Sequence, residues 1–206
     1  MTAARIELHQ GDLPDTVRFQ GAVAIDTETL GLRPHRDRLC LVQLSAGDGS
    51  AHLVQIAAGQ TTAPRLTAVL TDPKLIKIFH FARFDLAVLK HNLGVETRNI
   101  YCTKIASKLV RTYTDRHGLK DLTAELAGIE LSKQQQSSDW GAKDLTQQQL
   151  AYAASDVLHL HELMRKLDTM LARQGRADLA ARCFEFLTTR AALDLAGFEE
   201  SDIFAH

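Results

Sequence analysis

Val23-Ala24-Ile25-Asp26-Thr27-Glu28-Thr29-Leu30-Gly31-Leu32 is the stretch that decides the fold. Gly21 to Asp26 is a short apolar run ending in an acid, as a buried strand would be. Directly after it come Asp26 and Glu28. In extended chain, residues i and i+2 point to the same side, so both carboxylates project into one space. Two anions so placed raise one another's pKa unless a cation lies between them. Solvated acids at a strand end are the ordinary meaning of such a tripeptide. The apolar flanks, Val23–Ile25 before it and Thr29–Leu32 after it, weigh against that meaning here.

Arg38–Ser45 is a second apolar run. Gly47-Asp48-Gly49-Ser50 supplies hairpin chemistry, and Ala51–Ile56 follows, so three antiparallel strands are expected. A helix is expected at Pro64–Leu70. A short strand at Leu75–His80 leads into a helix from about Arg83 to Asn92, closed by Gly94. A further strand near Asn99–Cys102 precedes a helix over Thr103–Val110. The second half is helical. Leu119–Leu126 is one helix. A long one starts near Thr146, where Thr146-x-x-Gln149 makes a capping box. Its apolar positions 150, 153, 157, 160, 164, 167 and 171 form a core-facing stripe. A last helix covers about Asp178–Ala196. Strands first, then alternation, then helices describe an α/β fold with a mixed central sheet flanked by helices.

The 206 residues, 45% apolar and 24% charged, have an ordinary globular balance and fit one domain. Its core is expected over about residues 20–170, with a helical extension over about 176–206. No apolar stretch suits a membrane helix, and the N-terminus lacks the pattern of a signal peptide. The three cysteines are far apart, which reads as a reduced, cytoplasmic chain with no disulfides and no structural zinc. With 24 basic and 25 acidic side chains, the chain lacks the charge of a non-specific duplex binder. Any nucleic-acid role is therefore local, or depends on metal ions that offset clustered carboxylates.

Two more acids stand where they could join Asp26 and Glu28. Asp85, in His80-Phe81-Ala82-Arg83-Phe84-Asp85, lies where a strand gives way to a helix. Alone it would be a helix-dipole acid. Tyr152 and Asp156 are four residues apart on one helix face, which His159 and Leu163 continue. Alone they would be a solvent-side tyrosine and an ordinary acid. Together, four acids from three segments make an oxygen-rich site suited to Mg²⁺ or Mn²⁺. Two such ions ~3.5–4 Å apart suit a phosphodiester displacement.

On these three motifs, in this order, the chain resembles the DEDD superfamily of 3′→5′ exonucleases, in its tyrosine subclass and ribonuclease D-like. Among compact members it is similar to the nano-RNase C group, on Asp26–Gly31 with Arg36–Cys40, on Gln134–Trp140 and on the ending Asp202–His206. The resemblance implies a ribonuclease-H-like (DnaQ-like) fold and two divalent metal ions. Asp26, Glu28 and Asp156 would hold one ion, Asp26 and Asp85 the other, and Tyr152 would position the attacking water. Thr29 would meet the 3′ end and Leu32 would wedge between two bases. His80 and Phe84 would line the pocket. In the polar segment before the long helix, Lys133, Gln136 and Ser137 are candidates for a phosphate cap, beside Asp139 and Trp140. The expected activity is removal of 5′-mononucleotides from very short single-stranded RNA, dinucleotides above all. That length follows from the lack of the extra RNA-binding domains of ribonuclease D and of a basic surface. Ribonuclease D-like trimming of RNA 3′ ends, action on single-stranded DNA, and a non-catalytic nucleic-acid-binding module are the alternatives.

Arg33, His35, Arg36 and Arg38 form one basic patch, and Arg111, Arg116 and His117 another. They are expected to be partly solvated, partly phosphate-steering and partly in subunit contacts. The nine histidines contain no HExxH pattern, and His159-x-His161 reads as helix surface and cleft rim. The apolar C-terminal stretch with Phe198, Ile203 and Phe204 is expected to be an oligomer contact. The resemblance implies a ring-shaped octamer.

Overall fold

The computed structural model describes residues 4–132 and 134–206. Its centre is a six-stranded sheet in the order β1-β4-β3-β2-β5-β6. The strands are β1 (Arg5–Gln10), β2 (Ala22–Thr29), β3 (Leu39–Ser45), β4 (Ser50–Gln55), β5 (Ile76–Phe79) and β6 (Ile100–Cys102). The expected antiparallel trio is present as β2, β3 and β4. β5 joins β2 in parallel, β6 joins β5 in parallel, and β1 lies parallel to β4 at the far edge. The sheet is therefore mixed. It begins ahead of the expected core boundary, because β1 is a short, partly exposed strand whose weak alternation gives no apolar run to read.

The helices are α1 (Pro64–Thr71), α2 (Ala82–Leu93), α3 (Thr103–Val110), α4 (Leu119–Ala127), α5 (Gln147–Leu158), α6 (Leu160–Arg173) and α7 (Ala177–Leu193). A π-helical turn at Asp194–Phe198 follows α7. Gly94 closes α2 in the left-handed region (φ 66°), its N–H donating to the carbonyl of Lys90. Both bonds of the Thr146/Gln149 capping box start α5.

Three expectations on the local structure need correction. β2 runs on through Thr29, so Asp26 and Glu28 lie within the strand and not after it. The long helix from Thr146 is two helices, broken at His159 (φ −107°, ψ −5°). The break shifts the helical phase. Leu163, expected to continue the Tyr152 face, is fully buried in the core beside Leu160 and Leu167. α5 packs across β2, β3 and β4, which brings its Tyr152–Asp156 face over the end of β2. Among the described residues no helix is long and apolar enough to cross a membrane.

Candidate active site

The site starts from the end of β2. Its ladder with β3 is regular from Ala24 to Glu28 and then shifts register between Glu28 and Thr29. Such an irregularity ends pairing and re-aims the chain. Asp26 and Glu28 share one strand face, and α5 brings Asp156 to them. One carboxylate oxygen of each of these three acids lies within 4.8 Å of the others. Asp85, in the first turn of α2, is buried just behind this triad. The intervening Thr27 points the other way along the strand and donates its hydroxyl to Asp85 Oδ1 at 2.7 Å.

The electrostatics follow from burial. Loss of water pushes Asp26 up to about 7, opposed by a backbone N–H of Thr27. Burial, then the charges of Asp26, Asp156 and Asp85, push Glu28 up to about 10. Burial and the charge of Asp26 raise Asp85 and Asp156 well above the ordinary carboxylate range. Four acids that raise one another in this way are relieved by a cation. An all-oxygen donor set suits a hard divalent ion. Gln43, the cross-strand partner of Asp26, has both amide atoms buried with no hydrogen-bond partner among the described residues. That is the condition of a group lying beside a site completed by ions and their water shells. The residues present therefore fit a divalent metal.

Tyr152 sits one helical turn before Asp156, with its ring 6.0 Å from that of Trp140. Burial, then the charges of Asp156, Glu28 and Asp26, raise its phenol, so it keeps its proton and can donate. Trp140 itself is buried and packs its ring against that of Tyr152.

A cleft of about 680 Å³ opens over the acids. Asp26, Glu28, Tyr152 and Asp156 line it, and Thr29, Leu32, His80, Phe84, Gln136 and Ser137 are on its walls. Lys133 lies outside the described residues. Thr29 donates its hydroxyl to the carbonyl of Gly31, so it shapes the loop after β2. Arg36 clamps Asp37 through two bonds of 2.7 and 2.8 Å, and Asp37 accepts from the Arg33 N–H at 3.0 Å. This small network holds out Leu32, which is 84% exposed. His80 is held neutral, its pKa lowered to about 3 by burial and by Lys104. Its Nδ1 lies 2.9 Å from the Thr103 hydroxyl, which itself donates to the Phe79 carbonyl. Nε2 of His80 has no protein partner among the described residues.

Sequence reading missed Thr27, Phe81, Lys104 and Lys120. All four line the cleft. Phe81 adopts the left-handed region (φ 68°) at the start of α2 and exposes its ring, with Lys104 Nζ 4.1 Å above it. No local signal announces a left-handed phenylalanine. A threonine between two acids facing one way was a usable sign of a third contact.

In the basic patches, the burial of Arg111 departs from the expected solvated face. Arg111 is fully buried and bonds to Glu125, Ser107 and the Arg116 carbonyl. Arg116 pairs with Asp121 at 2.6 Å. Arg38 donates to the carbonyls of Leu39 and Ile56. Arg111 and Arg38 tie loops to the core, whereas Arg116 stays on the surface in its ion pair.

Comparison with known proteins agrees with this geometry. A 3′-5′ exonuclease family model matches residues 11–172. The solved structure of Brucella melitensis NrnC with bound Mg²⁺ is 58% identical, with a TM-score of 0.94, over 98% of this chain and 99% of that one. The same protein bound to pGG is 59% identical, with a TM-score of 0.96, over 98% and 99%. Ribonuclease D of Gluconacetobacter diazotrophicus is 36% identical over 167 residues, 81% of this chain. The chain spans about two-fifths of the length of such curated ribonuclease D relatives, 42% in that case. The mixed sheet with its helices is the ribonuclease-H-like, DnaQ-type exonuclease fold. The chain belongs to the 3′-5′ exonuclease family.

Proposed function

We propose that this chain is a metal-dependent 3′→5′ exoribonuclease that hydrolyses very short RNA, dinucleotides above all, to 5′-mononucleotides. The observation that carries the reading is the convergence of Asp26, Glu28 and Asp156 within 4.8 Å, with Asp85 behind them. Asp26, Glu28 and Asp156 would hold one divalent ion, and Asp26 with Asp85 a second. Mg²⁺ or Mn²⁺ so held would activate water and offset phosphate charge. Tyr152, its phenol kept protonated, would orient the attacking water for in-line approach to the terminal phosphodiester. Leu32 would insert between the two bases, where an apolar side chain discriminates little among them. Thr29 would meet the 3′ end, and His80 and Phe84 would contact the terminal nucleotide. Gln136, Ser137 and Lys133 would receive the 5′ phosphate.

Support for a short substrate comes from the relative whose solved structure is bound to pGG, which matches this chain over 98% of its length. A cleft of about 680 Å³ is of the size that encloses a small ligand. The near-neutral charge argues against long-range capture of a polyanion. The reading includes a homo-oligomer, an octamer by family likeness, supported by the exposed Phe198, Ile203 and Phe204. It also includes a cytoplasmic location, supported by three unpaired cysteines. Single-stranded DNA is the second substrate to test.

The test is a time course on labelled two-, five- and twenty-nucleotide RNA, and on the matching DNA, with Mn²⁺, Mg²⁺ or chelator. The dinucleotide should turn over fastest, chelator should stop it, and Asp156→Asn should remove nearly all activity while leaving the fold intact. Equal rates at all lengths would remove the substrate assignment. Full activity in chelator would remove the mechanism.

A further inference from the structure

The parallel pairing of β1 with β4 sets Glu7 opposite His52. His9, two residues along β1, shares the face of Glu7. One ligand atom from each of Glu7, His9 and His52 lies within 4.8 Å of the other two. His9 Nε2 is 3.1 Å from His52 Nδ1. His52 Nδ1 is 3.7 Å from Glu7 Oε2. Ligand atoms about 2.0–2.1 Å from a zinc-type ion lie roughly 3.3 Å apart at the tetrahedral angle. Both separations fall close to that value.

The surroundings hold this arrangement in place. The two imidazoles stack at 5.3 Å with planes 23° apart, and Phe19 meets His52 edge-on at 6.1 Å. His52 is buried, and His9 and Glu7 are half-buried. Burial keeps both imidazoles below the ordinary histidine value, although Glu7 pulls them up; both are neutral, and an ion would replace the proton shared between His9 Nε2 and His52 Nδ1, which moves to a far ring nitrogen. The nearby charges are mixed. Arg5, itself exposed, binds the other oxygen of Glu7 at 3.1 Å, and Asp48 adds negative potential at His52. Glu7 Oε2 stays directed at the histidines.

Two imidazoles and one carboxylate prefer borderline cations such as Zn²⁺, Co²⁺ or Ni²⁺ over Mg²⁺. Three protein ligands leave a fourth position for water. β1 is three strand spacings, about 14 Å, from β2 and its acids. We propose that Glu7, His9 and His52 form a second metal site, of zinc type, that clasps the edge strand β1 onto β4. It is separate from the acidic cluster in place and in chemistry.

The experiment uses the full chain carrying Asp26→Asn and Asp156→Asn, so that the acidic cluster cannot take the ion. Zn²⁺ is titrated against a chromophoric chelator in excess Mg²⁺. The expected result is one Zn²⁺ per chain, weakened at least tenfold by His9→Gln and likewise by Glu7→Gln. In the same double-Asn chain, Zn²⁺ should raise the melting temperature and His9→Gln should abolish that rise. His9→Gln alone should leave Mg²⁺-supported nuclease turnover unaltered, which separates this site from the proposed activity. No zinc uptake in the double-Asn chain, or uptake unchanged by both His9→Gln and Glu7→Gln, would overturn the site. Glu7→Gln, at a half-exposed position, serves should His9→Gln disturb the fold.

Discussion

Thr27→Val removes one hydroxyl and keeps the volume. In the structure that hydroxyl donates to Asp85 at 2.7 Å, and both residues are buried, so no water replaces it. A hydrogen bond to a charged group contributes about 1.5–3 kcal/mol. At about 1.4 kcal/mol per tenfold, that is roughly 10–150-fold in an equilibrium. Partners one step behind metal ligands typically tune affinity or activity by about 10–100-fold. The valine chain should therefore need about 10–100-fold more Mn²⁺ for half-maximal hydrolysis of a labelled dinucleotide. Thr27→Ser, which keeps the donor, should restore the parent midpoint. The assay is initial rate against Mn²⁺ concentration for all three chains, with melting curves in chelator to establish that each is folded. An unchanged midpoint in the valine chain, or a serine chain as impaired as the valine one, would refute the role given to this bond.

Stability without metal should depend on pH in a stated direction. Asp26 and Glu28 lie at about 7 and about 10 when folded, against ordinary values of 3.8 and 4.5. The folded chain thus binds more protons than the unfolded one, and stability present at pH 4 is lost as pH rises through these values. In chelator the melting temperature should fall from pH 5 to pH 9, and saturating Mg²⁺ should flatten the slope; a metal-free slope of opposite sign would contradict the cluster's burial. Tyr152→Phe should lower turnover about 100-fold with little change in KM, as loss of orientation does. A change in KM alone would argue for a binding role. Gly31→Ala would place a Cβ 2.3 Å from Asp37 Oδ2, so the loop carrying Leu32 must shift. Strain of about 1–3 kcal/mol should appear as a raised KM for the dinucleotide, partly relieved by adding Asp37→Ala, and an unchanged KM would show that the loop does not hold substrate.

Much of the site was legible because its spacings are local. Asp26 and Glu28 read as a pair from strand periodicity, and Tyr152 with Asp156 from helical periodicity. The capping box of α5 and the Gly94 cap of α2 also depend on residues a few positions apart. The break at His159 was not legible, since the apolar stripe passes through it with only a change of phase. Arg111 looked like a surface charge because its buried partners come from other segments: Glu125 in α4 and the Arg116 carbonyl.

An α/β fold, the element order and the residue types of an acidic site follow from local sequence pattern, since each depends on spacings within about one helical turn or two strand residues. Which distant groups meet depends on how the segments pack. Packing of α5 over β2 joins Asp156 to Asp26 and Glu28, the bond from Thr27 fixes Asp85, and the pairing of β1 with β4 gathers Glu7, His9 and His52. The physical reason is that side-chain periodicity is set by the local backbone, whereas the meeting of segments is set by burying one shared core.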